Sequence, residues 1–174
     1  MNNIEISIDD KIIEFVESKA QNIKIDLKEK INEIVKFLLI SENINVSKVS
    51  VCISRETEEG IKNLNKEYRN IDKATDVLSF PIFEKEELDA IVKEEDSHKV
   101  IKELELGDII LCMEVVEKQA IEYGTGIVRE TLYMITHGMC HLLGYDHIEQ
   151  SDKVVMRALE KKVLIAMGVI EDGE

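Results

Sequence analysis

The chain has 174 residues, 44% of them hydrophobic, and a single proline, a composition that favours a folded globular domain over a disordered or fibrous protein. Its net charge of −14 excludes a generally basic nucleic-acid-binding surface, so any contact with nucleic acid must use a local basic site or a partner protein. The apolar runs are too short to cross a bilayer and residues 1–5 do not resemble a signal peptide, so we expect one cytoplasmic domain over residues 1–174 that does not contact a membrane.

The first half of the chain contains three segments with strand-like patterns and two with helical spacing. In residues 4–8, as in 46–54, apolar and polar side chains alternate, which is typical of a half-buried strand. Apolar residues at Leu27, Ile31, Ile34 and Leu38 instead recur every three or four positions, which predicts a helix. The predicted elements are, in order, a strand at 4–8, a helix at 26–40, a strand at 46–54, an exposed helix at 56–70 and a short strand at 75–80 that Pro81 ends.

The second half combines one charged segment with one strand and three helices. Residues 84–105 are strongly charged and predict a loop or insertion with a short helical piece, and the apolar run at 106–113 predicts the last strand. Helices are predicted at 114–123, 127–143 and 149–167, with glycine after the first and the last as the expected stop signal. Early strands and late helices indicate an α/β or α+β fold, in which a small mixed sheet of about four strands packs against five or six helices.

Three of the four histidines in the chain lie within residues 137–147. His137 and His141 are four positions apart in a predicted helix, so both imidazoles lie on one face, one turn apart. Gly144 can adopt the left-handed conformation that ends a helix, and the resulting turn can bring His147 back toward the same point. Three protein ligands with an open fourth position are typical of a catalytic zinc site, so we predict one zinc-like ion at the end of this late helix.

The rest of this helix favours a site on one of its sides. A single histidine is usually a surface residue or a hydrogen-bonded core residue, but three at this spacing before a glycine turn are hard to assign to packing. On a helical projection, one side is an apolar stripe of Val128, Leu132, Ile135, Met139 and Leu142, and the other carries Glu130, Tyr133, Met134, His137 and His141. We therefore expect one side to face the core and the other to face the metal.

The histidine spacing, H-x3-H-x5-H with a glycine three residues after the second histidine, resembles the pattern of the metzincin proteases. Those enzymes have glutamate directly after the first histidine as the general base, whereas this chain has Gly138 there. Peptide hydrolysis by that route therefore lacks its base. Cleavage of a phosphodiester tolerates the glycine, because a divalent ion can lower the pKa of bound water to about 7 without a protein base.

Two longer motifs resemble the YbeY family of bacterial rRNA maturation factors. The first is HGMCHLLGYDH at residues 137–147, and the second is LNKEYRNIDKATDVLSFP at residues 64–81. A shorter block, LGDI at residues 106–109, precedes a predicted helix, and the three blocks follow one another in the order found in the family. The resemblance extends from about residue 46 to residue 168, and residues 84–105 are its least similar part.

The resemblance implies a metal-dependent endoribonuclease, specific for single-stranded RNA, that acts in 16S rRNA 3′-end maturation and ribosome quality control. It implies that His137, His141 and His147 bind one zinc ion per chain, that His137 also serves catalysis, and that Arg69 matches the functionally important arginine of the family. In such an enzyme, the guanidinium of Arg69 would stabilise the charge that develops on phosphoryl oxygens. The implied partners are 16S rRNA and small-subunit ribosomal proteins, and no DNA is expected.

Other residues have weaker signals. Asp146 could orient a ligand or cap the turn after Gly144, and His98, in the charged segment, could be a fourth ligand. Residues that could line the site or form a basic rim around it are Thr75, Asp76, Ser79, Lys66 and Lys73. Two further functions stay open: a ribosome assembly factor with a structural metal, which the acidic charge favours, and a metallohydrolase of another substrate class, including a peptidase.

Overall fold

The computed structural model describes residues 3–20, 25–44, 47–95 and 103–171. Within these ranges the chain forms four strands, β1 (Asn3–Ile8), β2 (Lys48–Arg55), β3 (Val77–Pro81) and β4 (Leu104–Leu111). The same ranges contain seven helices: α1 (Asp10–Lys19), α2 (Leu27–Ser41), α3 (Glu58–Arg69), α4 (Lys85–Glu95), α5 (Met113–Tyr123), α6 (Ile127–Leu142) and α7 (Gln150–Ala166). The fold is therefore mixed α/β, as the sequence predicts.

The four strands form one mixed sheet in the order β1-β2-β4-β3. β1 pairs with β2 and β2 with β4 in parallel, whereas β3 runs antiparallel along β4 at the edge. The edge position suits β3, because it ends in Pro81, which has no N–H to donate to a further strand. Along β2, Val49, Val51 and Ile53 are buried and alternate with less buried residues, which explains why alternation predicted this strand.

Every predicted strand and helix is present, and its ends differ from the prediction by no more than two residues. The charged segment at 84–105 contains all of α4 and the first two residues of β4, so much of it is regular structure. Residues 96–102, which include His98, lie outside the described residues. A loop at 96–102 and a ligand role for His98 therefore stay predictions.

The described residues contain seven helices, whereas five or six were expected, because α1 has no counterpart among the predicted elements. Its pattern is weak, since only Ile12 and Val16 among its residues are buried. The capping residue is the clearer signal: the side chain of Asp9 accepts a hydrogen bond from the N–H of Lys11, which satisfies one of the donors that a helix start leaves free. A capping aspartate before two buried residues four positions apart could have identified α1.

The central helix is α6, which packs against four other helices and against β3 and β4. More of its circumference is enclosed than the predicted division into two sides suggests, since Glu130 and Met134 are only 4% and 6% exposed. Tyr133, His137 and His141 are partly exposed, and they mark the opening in this packing. Each described helix falls short of the combined length and hydrophobicity that a bilayer span requires.

Candidate metal centre

The structure brings together the three histidines that the sequence singles out. His137 and His141 lie on the last two turns of α6, and their Nε2 atoms are 3.2 Å apart. His147 lies beyond the helix, yet its ring stacks on that of His137 with the centroids 5.6 Å apart. One possible ligand atom from each of the three side chains lies within 4.8 Å of the other two, so the group can hold a metal ion.

The turn that delivers His147 depends on Gly144, whose φ is +82°. The N–H groups of Gly144 and Tyr145 donate to the carbonyl oxygens of His141 and Cys140, which the end of the helix leaves without partners. A Cβ at Gly144 would lie 2.7 Å from the Cα of Lys85, the first residue of α4. Both the left-handed conformation and the lack of space therefore require glycine at this position.

Contacts with distant elements hold this turn in place. The hydroxyl of Tyr145 donates to Glu42, which follows α2, over 2.7 Å, and Lys85 pairs with the other carboxylate oxygen of Glu42 over 2.8 Å. The Lys85 ammonium also lies 4.9 Å from the centroid of the Tyr145 ring, within cation–π range. Asp146 accepts a hydrogen bond from the N–H of His147 over 2.7 Å, which favours the turn-capping role predicted for it.

Both histidines of α6 have a hydrogen-bond partner for the second ring nitrogen. Nδ1 of His141 lies 2.9 Å from the carbonyl oxygen of Tyr145, which can only accept, so this nitrogen carries the hydrogen. Nδ1 of His137 lies 2.7 Å from Oε1 of Glu160 on α7, whose side chain is only 5% exposed. Acceptors of this kind select the tautomer that leaves Nε2 free to bind a metal.

The donor set fits a tetrahedral divalent ion. With hydrogen on both Nδ1 atoms, the facing Nε2 atoms of His137 and His141 are both acceptors, so they cannot bond to each other across 3.2 Å. Two nitrogens that each lie about 2.0–2.1 Å from a tetrahedral zinc ion are roughly 3.3 Å apart, close to this distance. An ion between the two atoms would satisfy both lone pairs.

The surroundings favour the neutral form of His141. Burial, followed by the nearby His137 and His147, lowers the pKa of His141 from 6.5 to about 4. A neutral imidazole is the form that binds a metal, so this side chain needs no deprotonation at neutral pH. Cys140 precedes His141 but is fully buried, and burial raises the pKa of its thiol, so it acts as a core residue rather than as a ligand.

A cleft of about 250 Å³ opens beside the histidines, between α6 and α7. Tyr133 of α6 lines this cleft. Burial is the main cause that raises the pKa of its hydroxyl to about 12, so the hydroxyl keeps its proton at neutral pH. A larger cavity of about 430 Å³ surrounds the start of α6, at the other end of that helix from the histidines. The cleft beside the histidines is lined by Tyr133, His137, His147, Lys153, Met156, Arg157 and Glu160.

Arg69, the predicted catalytic cation, is the last residue of α3 and is exposed. It is not among the described residues that line the cleft, and the hydrogen bonds and ring contacts of the three histidines within the described ranges do not include it. Lys66, part of the predicted basic rim, pairs with Asp72 over 2.8 Å and is therefore partly neutralised. A catalytic role for Arg69 stays a prediction.

Thr75 and Asp76, which directly precede β3, have structural hydrogen-bond partners. Asp76 accepts hydrogen bonds from the hydroxyl of Thr75, the N–H of Val77 and the side-chain amide of Gln119, over 3.0, 2.7 and 2.8 Å. These bonds tie the start of β3 to α5. The hydroxyl oxygen of Ser79 is buried and has no hydrogen-bond partner among the described residues.

Four residues of the cleft were not predicted: Met156 and the charged residues Glu160, Lys153 and Arg157. A signal for Glu160 exists in the sequence, since it interrupts a buried stripe on α7 that contains Met156 and Val163. A carboxylate inside an apolar stripe needs a partner, and His137 supplies it. Lys153 and Arg157 have no such signal, because only the packing of α7 beside α6 distinguishes them from other cations on a charged helix.

A family model described as endoribonuclease YbeY matches residues 13–168. The chain belongs to the YbeY family. The match contains both long motifs, residues 64–81 and 137–147, so the resemblance inferred from them is confirmed. The three histidines of the metal-binding group all lie within the second motif.

Individual relatives agree with the family match over most of their length. The endoribonuclease YbeY of Clostridium botulinum strain Langeland is 41% identical over 158 residues, which are 86% of this chain and 95% of that protein. The endoribonuclease YbeY of Caldicellulosiruptor bescii is 40% identical over 164 residues, which are 89% of this chain and 97% of that protein. The solution structure of a Thermotoga maritima protein is similar with a TM-score of 0.53 and 32% identity, over 94% of this chain and 88% of that chain.

Proposed function

We propose that this protein is a zinc-dependent endoribonuclease that cleaves single-stranded RNA and acts in 16S rRNA 3′-end maturation and ribosome quality control. The observation that carries the proposal is the convergence of three imidazoles beside an open cleft, in a member of a family described as endoribonucleases. The proposed partners are 16S rRNA and small-subunit ribosomal proteins, and the proposed location is the cytoplasm.

In this proposal, His137, His141 and His147 hold one zinc ion per chain. The ion supplies Lewis-acid chemistry to the hydrolysis of a phosphodiester. Glu160 and the carbonyl oxygen of Tyr145 accept hydrogen bonds from the Nδ1 atoms of the two α6 histidines, and so keep both Nε2 atoms aimed at one point. The cleft beside His137 and His147 gives an RNA strand access to this point.

Arg69 is the proposed catalytic cation. A guanidinium can donate two parallel hydrogen bonds to phosphoryl oxygens and stabilise the negative charge that grows on them during in-line attack. The match of residues 64–81 to the family supports this role. The exposed position of Arg69 at the end of α3 leaves its guanidinium accessible to a substrate.

The surroundings of Gly138 argue against the peptidase alternative. Gly138 occupies the position of the metzincin general base, and a Cβ there would lie 2.9 Å from Cγ2 of Ile109 on β4. The position therefore faces the sheet. A glutamate could enter it only if Ile109, which is fully buried, were displaced.

The direct experiment measures the cleavage of end-labelled single-stranded RNA by the zinc-loaded protein and its His137→Ala and Arg69→Ala variants. We expect the His137→Ala variant to lose both metal and cleavage. The Arg69→Ala variant should keep stoichiometric metal while its cleavage rate falls by about 100-fold or more. A duplex of the same sequence, which should be cleaved much more slowly, tests the preference for single strands.

The acidic charge supports a second candidate function, that of a ribosome assembly factor whose ion is structural. A net charge of −14 repels RNA but attracts basic ribosomal proteins. Stoichiometric zinc without cleavage above background, together with binding to small-subunit proteins, would favour this function. Cleavage that depends on both His137 and Arg69 would exclude it.

We also propose that residues 1–174 fold as one domain. The main cluster of buried apolar side chains extends from Ile12 in α1 to Val163 in α7, so it joins both ends of the described chain. A shared core of this kind unfolds cooperatively. We expect a single transition in urea, monitored by circular dichroism, and two separate transitions would contradict the proposal.

A further inference from the structure

Helix α7 presents two cations to the cleft beside the histidines. Lys153 and Arg157 are four residues apart, so they lie on one face of α7 on successive turns, and both line the cleft. Glu160 follows on the same face, and its hydrogen bond to Nδ1 of His137 anchors that face against α6. The two cations therefore stand beside the metal-binding group in a fixed orientation of the helix.

Neither cation is neutralised by a carboxylate. Unlike Lys85, which pairs with acidic side chains, Lys153 and Arg157 form no salt bridge within the described part of the chain. The carboxylate that shares their cleft, Glu160, is already the partner of His137. In a protein with a net charge of −14, two cations left unpaired at one place indicate a local site for an anion.

The chemistry of the cleft favours a phosphate group of a polymer. Two cations beside a bound divalent ion repel that ion unless an anion lies between them. The cleft, at about 250 Å³, shares Tyr133, Arg157 and Glu160 with an adjoining cavity of about 450 Å³, so the groove continues along α6 and α7. A continuous groove of this kind suits a longer chain. The aromatic ring of Tyr133 in the same lining offers a surface on which a sugar or base can stack.

We propose that Lys153 and Arg157 bind a backbone phosphate of single-stranded RNA beside the metal-binding group and so position the strand for cleavage. This inference rests on the proposed nuclease function and adds a substrate subsite to it. The two residues are positioning residues, since they hold the strand next to the reacting phosphodiester. The guanidinium of Arg157 can bind two phosphate oxygens at once, whereas the ammonium of Lys153 acts as a point charge.

The experiment titrates fluorescein-labelled single-stranded RNA with the zinc-loaded protein, residues 1–174, on ice, by fluorescence anisotropy and over a range of salt concentrations. The variants are Arg157→Gln and Lys153→Gln. The matched control is Lys162→Gln, because Lys162 lies on the same helix but outside the cleft, with its ammonium 5.8 Å from the centroid of the Phe37 ring. Gel electrophoresis after each titration confirms that the strand is intact.

We expect Arg157→Gln to weaken RNA binding by about tenfold and Lys153→Gln by a smaller factor, because a charge-assisted contact with phosphate is lost. Each of the two variants should also make the slope of log K against log salt concentration less negative by about 0.7, where K is the association constant for RNA. This is the value for one single-strand phosphate contact. Lys162→Gln changes the net charge equally and should leave both quantities as in the wild type. In cleavage kinetics, Arg157→Gln should raise KM more than it lowers kcat, with metal content unchanged.

The outcomes separate this inference from the proposed function. If the wild type binds and cleaves RNA but the two cleft variants behave like Lys162→Gln, the α7 subsite is wrong and the nuclease function stands. An equal loss in all three variants would also contradict the subsite, since it would show a general effect of charge. If the wild type neither binds nor cleaves RNA, both proposals are wrong.

Discussion

The C-terminal ends of α6 and α3 differ in how firmly the protein holds their functional side chains. The two ends are otherwise alike, since each carries residues predicted for catalysis and each is followed by a residue in the left-handed conformation. After α6, Gly144 has φ +82°, and the side chains of His137 and His141 are held by hydrogen bonds to partly or fully enclosed acceptors. After α3, Asn70 has φ 58°, and Arg69 just before it is exposed and outside the histidine cleft. At the end of α6, protein contacts alone hold the imidazole rings in place. At the end of α3, the side chain of Arg69 is exposed to solvent.

The difference follows from what each end has to bind. A metal ion needs several ligand atoms at fixed distances and angles, so its site is built from residues whose orientations the fold already determines. A guanidinium can instead be ordered by the phosphate that it meets, at the cost of its own side-chain entropy. Substitutions at the end of α6 should therefore alter metal binding and folding, whereas substitutions at the end of α3 should alter catalysis alone.

The largest expected effect is that of His141→Ala. Removal of one of the three imidazoles should lower zinc affinity by more than about 100-fold, since loss of a partner of a ligand alone costs about 10–100-fold. Competition with a chromophoric chelator measures the affinity. The control is His98→Ala, which removes the fourth histidine of the chain and should leave zinc affinity unchanged. A comparable loss in His98→Ala would instead identify His98 as a ligand.

The next effect is on stability. Gly144→Ala should lower the free energy of unfolding by about 2–5 kcal/mol, because it combines a left-handed conformation with a clash against Lys85. Gly168→Ala is the matched control: Gly168 also has a positive φ, of +67°, but nothing lies within 4 Å of its added Cβ, so only the conformational cost of about 1–2 kcal/mol applies. Urea unfolding measures both, and equal losses would show that the clash is relieved.

Glu160→Gln should have an intermediate effect on metal binding. The amide can still accept from Nδ1 of His137 but lacks the carboxylate charge, so we expect zinc affinity to fall by about 10-fold and by no more than about 100-fold. Asp152→Asn makes the same chemical change at an exposed position of α7 and should have no effect on affinity. Unchanged affinity in Glu160→Gln would mean that the hydrogen bond, and not the charge, is what His137 requires.

The smallest expected effect on the folded protein is that of Arg69→Ala. Its side chain is exposed, so the free energy of unfolding should change by less than about 0.5 kcal/mol and zinc affinity should stay the same. Urea unfolding and the chelator competition measure these quantities. A marked loss of zinc affinity in this variant would show that metal binding depends on Arg69. It would then be wrong to assign metal binding to the end of α6 alone.

The sequence predicted the elements and the histidine group because both depend on local spacing. Alternation in residues 46–54 and the four-residue spacing of His137 and His141 need no knowledge of distant parts of the chain. The partner of His137 could not be assigned in this way, because Glu160 reaches it only after α7 packs beside α6. For the same reason no local pattern identified Lys153 and Arg157, whose position beside the histidines depends on that packing.

The turn that carries His147 depends on residues far apart in the chain, because Glu42 and Lys85 both contact Tyr145. Residues 137–147 contain all three imidazoles and the carbonyl acceptor of His141, but two other acceptors come from distant parts of the chain: Glu160 is 23 residues from His137, and Glu42 is 103 residues from Tyr145. Bringing such distant residues together costs chain entropy, which increases with the length of the loop that they close. Residues 137–147 thus supply the ligands, whereas Glu42, Lys85 and Glu160 supply contacts that set their geometry, so we expect tight zinc binding to require that α2, α4 and α7 are all packed in place.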